Sequence, residues 1–133
     1  MLGHLGLNVP DLAAVKGYYD QIMPLFGYQE FFTTDTECAY MPVEGQRGAY
    51  FFFYQATEHS AYSRERVGLQ HLAFIVRSRS AVQAVHDKVL SLGSEVLHAP
   101  REFPEYSPPY YYATFWLDPH GFMLEAVCHH DRD

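Results

Sequence analysis

The chain opens on an alternation. Leu5, Leu7 and Val9 share one parity and His4, Gly6 and Asn8 the other, the pattern of a strand with one buried face. Asp11 follows as a helix N-cap, its carboxylate placed for the free N–H groups of a first turn. Leu12, Val15, Tyr19, Ile22, Met23 and Phe26 then recur at helical spacing as one apolar stripe. Pro24 ends or kinks this helix near Met23, and Gly27 closes it. Residues 28–32 and 38–42 read as short strands around a polar turn, 45–48 as a further turn, and 49–55 as a strand apolar on both faces.

Residues 58–66 change character, with Glu58, His59, Ser60, Ser63, Arg64, Glu65 and Arg66 forming a polar connector. The opening pattern then returns. Leu72, Phe74 and Val76 take one strand face, and His71, Ala73 and Ile75 the other. Ser80 with Gln83 predicts a capping box, and Val82, Val85, Val89 and Leu92 supply a helical stripe that stops at Gly93. Residues 95–98 read as a short strand and 101–109 as a proline-punctuated loop, expected with the connector to be the most mobile part of the chain. A strand then leads into Asp118-Pro119-His120-Gly121, a turn signal. Beyond it Met123, Glu125 and Val127 share one face, and Leu124 and Ala126 the other.

Setting His4 on His71 gives an offset of 67 (71 − 4), and the match runs on: Leu5 meets Leu72, Val9 meets Val76, Asp11 meets Ser78, Val15 meets Val82 and Leu25 meets Leu92. The chain is therefore an internal repeat of strand, helix and three strands. The fold class is α+β: two βαβββ modules over residues 1–57 and 67–130, joined by connector 58–66, in one domain of 133 residues.

Composition narrows the function. The net charge of −7, with two Lys and seven Arg that form no basic patch, argues against a nucleic-acid partner. No apolar run approaches the ~18 residues of a membrane span, no leader pattern opens the chain, and the expected location is the cytoplasm. Cys38 and Cys128 are far apart in sequence and read as packing thiols.

The candidate chemistry lies on the polar faces of the repeat. His4 and His71 are equivalent, each at the start of the first strand of its module, and Glu125 is a lone carboxylate in an apolar strand. Such a Glu is costly to bury without a cation or hydrogen bonds. A lone His on a strand is usually an ordinary surface or core residue; two at corresponding repeat positions, with this Glu, form a pattern. Neutral imidazole and carboxylate suit Fe, Mn, Co, Ni or Zn, and such a set leaves coordination positions open for substrate or water.

At this point the chain resembles the vicinal oxygen chelate superfamily of glyoxalases, bleomycin resistance proteins, fosfomycin resistance thiol transferases and extradiol dioxygenases. The cues are His4-Leu5-Gly6-Leu7-Asn8-Val9-Pro10-Asp11-Leu12, Tyr18-Tyr19 with Leu25-Phe26-Gly27, Gly68-Leu69-Gln70-His71-Leu72-Ala73-Phe74, and above all Asp118-Pro119-His120-Gly121-Phe122-Met123-Leu124-Glu125. The resemblance covers about the whole chain. It implies that the paired modules form a cup-shaped, incomplete eight-stranded barrel around a divalent metal ion. By matching position it makes His4, His71 and Glu125 the metal ligands. It also implies a homodimer, with the cup closed within a chain or by exchange of modules between chains.

One departure bears on the chemistry. Glyoxalase I-like members carry a fourth ligand, usually Glu, on the last strand of the first module. Here Phe52 is nearest that position, with Tyr50 and Tyr54 on the same face. The remaining set resembles the three-ligand thiol transferases and dioxygenases, although no Lys or Arg cluster suited to a phosphonate stands out. His59, His98 or His120 could supply an acid–base group, and nothing in the sequence places any of them near the ligands. Phe52, Tyr50, Tyr54, Tyr106 and Tyr112 are candidates to line the pocket and clamp a flat ligand, with core packing weighed evenly against that role. The expected function is a metal-dependent small-molecule enzyme. The alternatives are a drug-binding protein of the bleomycin resistance type and a degenerate member kept as a partner or regulatory domain.

Overall fold

The computed structural model describes residues 1–106 and 110–130. The chain divides into two compact units, Met1–Ala61 and Tyr62–Asp133, and the division falls inside the polar connector.

In the first unit, strand β1 (His4–Val9) is followed by helix α1 (Leu12–Ile22), a 3₁₀ turn (Met23–Phe26), and strands β2 (Tyr28–Thr33), β3 (Glu37–Pro42) and β4 (Tyr50–Gln55). The sheet order is β1-β4-β3-β2, with β1 parallel to β4 and the other pairs antiparallel. Asp11 caps α1, its Oδ1 accepting from the Ala14 N–H at 3.2 Å. Gln55, at the end of β4, holds the same corner. Its Oε1 accepts from Leu12 N at 3.0 Å, and its Nε2 donates to Pro10 O at 2.9 Å. Pro24 ends α1 near Met23, as expected. It initiates the 3₁₀ turn, which Gly27 closes at φ 80°, a left-handed value suited to glycine. The core lies between α1 and one sheet face: Val15, Tyr19 and Ile22 are buried with Val9, Tyr40 and Phe53, and the Tyr19 and Phe53 rings meet at 4.6 Å.

The second unit repeats the plan with β5 (Leu72–Ile75), α2 (Arg79–Ser91), β6 (Val96–Glu102), β7 (Tyr112–Leu117) and β8 (Met123–Cys128), in sheet order β5-β8-β7-β6. Both units are βαβββ, α+β in class, and each four-stranded sheet is open. The repeat extends to the capping atoms. Ser78 accepts from Ala81 N at 3.1 Å, and Ala81 stands 67 positions after Ala14 (81 − 14).

The structure departs from the sequence expectation at the start of α2 and along β6. The cap of α2 is Ser78, with extended backbone at φ −152° and ψ 164°, while Ser80 already lies inside the helix and forms no capping box. The strand expected over 95–98 continues to Glu102, so 101 and 102 belong to it and not to a loop. Pro100 is tolerated because β6 is the sheet edge and its pairing with β7 shifts register on both sides of His98. Thr114, fully buried, donates its hydroxyl to His98 O at 2.7 Å and secures this irregular stretch. Positions 107–109 of the expected loop lie outside the described residues.

Cross-strand pairing fixes the two faces of the second sheet. Leu72 pairs with Leu124, Phe74 with Ala126 and Trp116 with Leu124, and these residues share the face covered by α2 with Val82, Val85 and Val89 in the core. Ala73 and Phe115 both pair with Glu125, so Glu125 belongs to the opposite face. No helix among the described residues is long and apolar enough to cross a membrane.

Candidate metal-binding site

The turn that delivers Glu125 is built on Asp118. Its buried Oδ1 accepts from the N–H groups of His120, Gly121 and Phe122, each at 2.9 Å. Gly121 supplies the positive φ (101°) that this tight wrapping needs. β8 leaves the turn in fixed register, and Glu125 arrives at mid-strand only 1% exposed.

A carboxylate so buried needs partners, since an unpaired one costs several kcal/mol or more. Glu125 has two. Its Oε1 lies 3.2 Å from His71 Nε2, and its Oε2 accepts a short hydrogen bond from the Tyr111 hydroxyl. Burial, reinforced by the bond to Glu125, raises the Tyr111 phenol above the usual tyrosine range and keeps it a donor. On the far side of the imidazole, His71 Nδ1 meets Gln70 Oε1 at hydrogen-bond distance. With the Nδ1 side of the ring held by Gln70, Nε2 is the nitrogen that faces Glu125 Oε1.

This pair fits a divalent ion. An imidazole nitrogen and a carboxylate oxygen are borderline-to-hard donors of the kind Zn, Fe, Mn, Co and Ni accept. Two such donors at ~2.1 Å from one ion, and at about 90–110° to each other, stand roughly 3.0–3.4 Å apart. The observed 3.2 Å falls within that range. Gln70 supplies the outer hydrogen bond that ligating histidines use to fix their tautomer. Among the described residues, no group of three or more His, Cys, Asp or Glu side chains is assembled for a metal.

His4 begins β1 on the face of the first sheet opposite α1. Register places it beside Tyr50, Gly6 beside Phe52 and Asn8 beside Tyr54. Its ring meets Phe52 edge-on at 5.4 Å, so the neighbour at the expected fourth-ligand position is an aromatic with no donor atom. Phe52 stacks on Tyr54 at 6.3 Å and meets Phe32 at 6.1 Å. Gly6 permits this arrangement, because a Cβ there would stand 3.1 Å from Tyr54 Cε2. Tyr50 meets Phe31 at 5.4 Å.

The other sequence candidates separate by face. Tyr106 stacks on Phe103 at 5.2 Å and meets Tyr111 at 5.3 Å, beside Glu125's hydrogen-bond partner. Tyr112 lies on the α2 side, with the Arg79 guanidinium 4.9 Å over its ring and Gln83 Nε2 donating to its hydroxyl at 3.1 Å. His98 contacts Phe103 at 5.6 Å and Phe115 at 5.5 Å, which puts it on the Glu125 face. His120 packs on Tyr62 and Phe122 at the turn, and His59 is exposed in the connector.

Tyr111 is an aromatic of the stretch expected to border the cup but is not among the pocket candidates drawn from the sequence, and Gln70 is not among them either. A signal for Tyr111 was present. In the β7–β8 hairpin odd positions pair with odd ones, as Phe115 does with Glu125. Parity therefore carries Tyr111, and not Tyr112, to the carboxylate side.

A family model described as the Glyoxalase/Bleomycin resistance protein/Dioxygenase superfamily matches residues 1–126, and the chain belongs to that superfamily. It is 30% identical over 127 residues to the uncharacterized protein YqjT of Bacillus subtilis (strain 168), covering 93% of this chain and 95% of that one. Among solved structures it is similar to a Bacillus halodurans protein proposed to be a glyoxalase, at 26% identity and a TM-score of 0.79, with 96% and 95% of the two chains covered. The fold is also shared with the fosfomycin resistance protein FosX of Listeria monocytogenes (18% identity, TM-score 0.71, 98% and 94% covered). A lactoylglutathione lyase of Agrobacterium tumefaciens shares it as well (17% identity, TM-score 0.67, 96% and 92% covered).

Proposed function

We propose that the protein is a metal-dependent enzyme acting on a small oxygen-bearing molecule, with His71, Glu125 and His4 as the ligands of one divalent ion. The observation that carries this reading is the His71–Glu125 pair: a carboxylate 1% exposed, aligned with an imidazole nitrogen at ligand-to-ligand spacing. His4 is the third donor, and Phe52 leaves the fourth position without one. When bound, the ion supplies Lewis acidity toward adjacent oxygens of a substrate and stabilises the anion that forms there. The chain's own residues do the rest. Glu125 contributes negative charge from a water-poor strand, Gln70 orients His71, and the aromatics on the Glu125 face, Phe115 among them, exclude water and hold the apolar part of the substrate. Lyase, isomerase, thiol transferase and dioxygenase chemistry are all compatible with this arrangement, and the working assembly is a homodimer.

A second reading has its own support. On the first sheet Phe31 and Tyr54 are 47% and 37% exposed beside Tyr50 and Phe52, an aromatic surface suited to sequestering a flat molecule without chemistry, as a bleomycin resistance-type protein does. Ligand affinity measured with and without EDTA separates the two. The enzyme reading requires binding or turnover that EDTA abolishes and a divalent salt restores; tight binding indifferent to EDTA favours sequestration.

A further inference from the structure

We infer that Tyr111 is a positioning residue that holds Glu125 one-armed, engaging Oε2 so that Oε1 alone is presented beside His71 Nε2. The inference rests on the metal reading above and concerns how that site is preset by the protein. A free carboxylate rotates about its last bond and can offer one oxygen or both. Here Oε2 is committed to the Tyr111 hydroxyl, while Oε1 lies 3.2 Å from the imidazole. A carboxylate fixed in this way occupies one coordination position instead of two, which keeps a further position for substrate.

The fold invests in the placement of this tyrosine. Tyr110, immediately before it, has φ 76°, the one non-glycine positive φ among the described residues. For a bulky side chain that conformation is strained. Past this kink the Tyr111 carbonyl accepts from Phe103 N at 2.8 Å. Its ring is then enclosed by Tyr106 at 5.3 Å, Phe103 at 6.2 Å and His129 at 5.2 Å. Strain before a residue that touches a buried carboxylate is the pattern expected of a preorganised site, where surrounding structure holds an otherwise unfavourable backbone. A purely space-filling tyrosine would need the ring and have no use for the hydroxyl.

The test is Tyr111→Phe, which keeps the ring and removes the hydroxyl, titrated with cobalt(II) chloride beside the wild type, Glu125→Ala and a remote control. The control, Tyr28→Phe, removes a hydroxyl that donates to Ala49 O in the first unit. Affinity comes from the titration, and coordination from the visible absorption of the bound cobalt. We expect Tyr111→Phe to weaken binding roughly 10–100-fold and to alter the cobalt spectrum, while Tyr28→Phe changes neither. Wild-type affinity and spectrum in Tyr111→Phe, with binding lost in Glu125→Ala, would overturn this inference and leave the metal reading standing. Cobalt bound equally by Glu125→Ala, or by no variant and not by the wild type, would overturn the metal reading and this inference with it. A Tyr111→Phe protein that fails to fold would assign the hydroxyl to the core and also overturn the inference.

Discussion

Phe52 meets the ring of His4 edge-on at 5.4 Å, and the sequence resemblance sets position 52 nearest to the fourth ligand, usually Glu, of glyoxalase I-like members. The contact is apolar and only half-buried, so the position can be changed without opening the core. Phe52→Glu is expected to tighten divalent-metal binding about 10-fold or more, because it adds an anionic donor next to a histidine donor. Isothermal titration with zinc measures this. Unchanged affinity in a folded Phe52→Glu protein would place His4 outside the metal site.

Module exchange between chains has a direct genetic signature. His4→Ala and Glu125→Ala each lack one donor and are expected to bind little metal alone. If a homodimer pairs His4 of one copy with His71 and Glu125 of the other, the refolded mixture contains hetero-dimers with one intact site and one doubly defective site. Metal content should then recover to roughly a quarter of the wild-type value for random pairing. No recovery, with mixed dimers demonstrated by mass spectrometry, would assign all three donors to one chain.

The turn before β8 gives a stability prediction. Asp118→Ala removes one acceptor from three backbone N–H groups, all at 2.9 Å. The expected loss is roughly 2–4 kcal/mol, the scale for deleting a buried, charge-assisted acceptor. Urea denaturation checks it, and a loss below about 0.5 kcal/mol would show that the turn holds without its carboxylate.

How much of this was legible in the sequence depended on whether the signal was local. The parity of Leu72, Phe74, Leu124 and Ala126 could be read directly, because strand alternation is strict; His71, expected to open β5 as His4 opens β1, stands one residue before that strand. Asp118-Pro119-His120-Gly121 announced a turn, but the three N–H groups gathered by Asp118 could be seen only in space. β6 was harder. Its pairing shifts register on either side of His98, which breaks alternation, and Pro100 reads as a terminator although it sits on an edge strand. The choice of Tyr112 over Tyr111 among the pocket candidates came from the same gap: a strand's face is fixed only once its partner's register is known. Gln70 adjoins His71, and its role is a side-chain contact that no periodicity encodes.

Alkaline pH should destabilise the fold in a defined window. Burial raises the Cys38 thiol from its ordinary value of 9.0 to about 11. The unfolded chain therefore loses this proton first, so the stabilisation is fully present below pH 9 and is lost as pH rises toward 11. Tyr28, Tyr40 and Tyr62, whose phenols burial also raises, add in the same direction above 10. Urea midpoints across this range should fall less steeply for Cys38→Ala than for the wild type. Parallel slopes would show that the thiol is not protected by the fold.

Whether Glu125 is a metal ligand is decided by metal content after purification without chelators and saturation with zinc. Elemental analysis of wild type and Glu125→Ala is expected to give about one ion per chain for the first and a small fraction of that for the second. Circular dichroism should show both proteins folded, since Glu125 lies on a strand held by the Leu124, Ala126 and Trp116 core. Equal zinc in the two proteins, or none in the wild type, would exclude Glu125 as a ligand and leave the aromatic-surface binding protein as the better description.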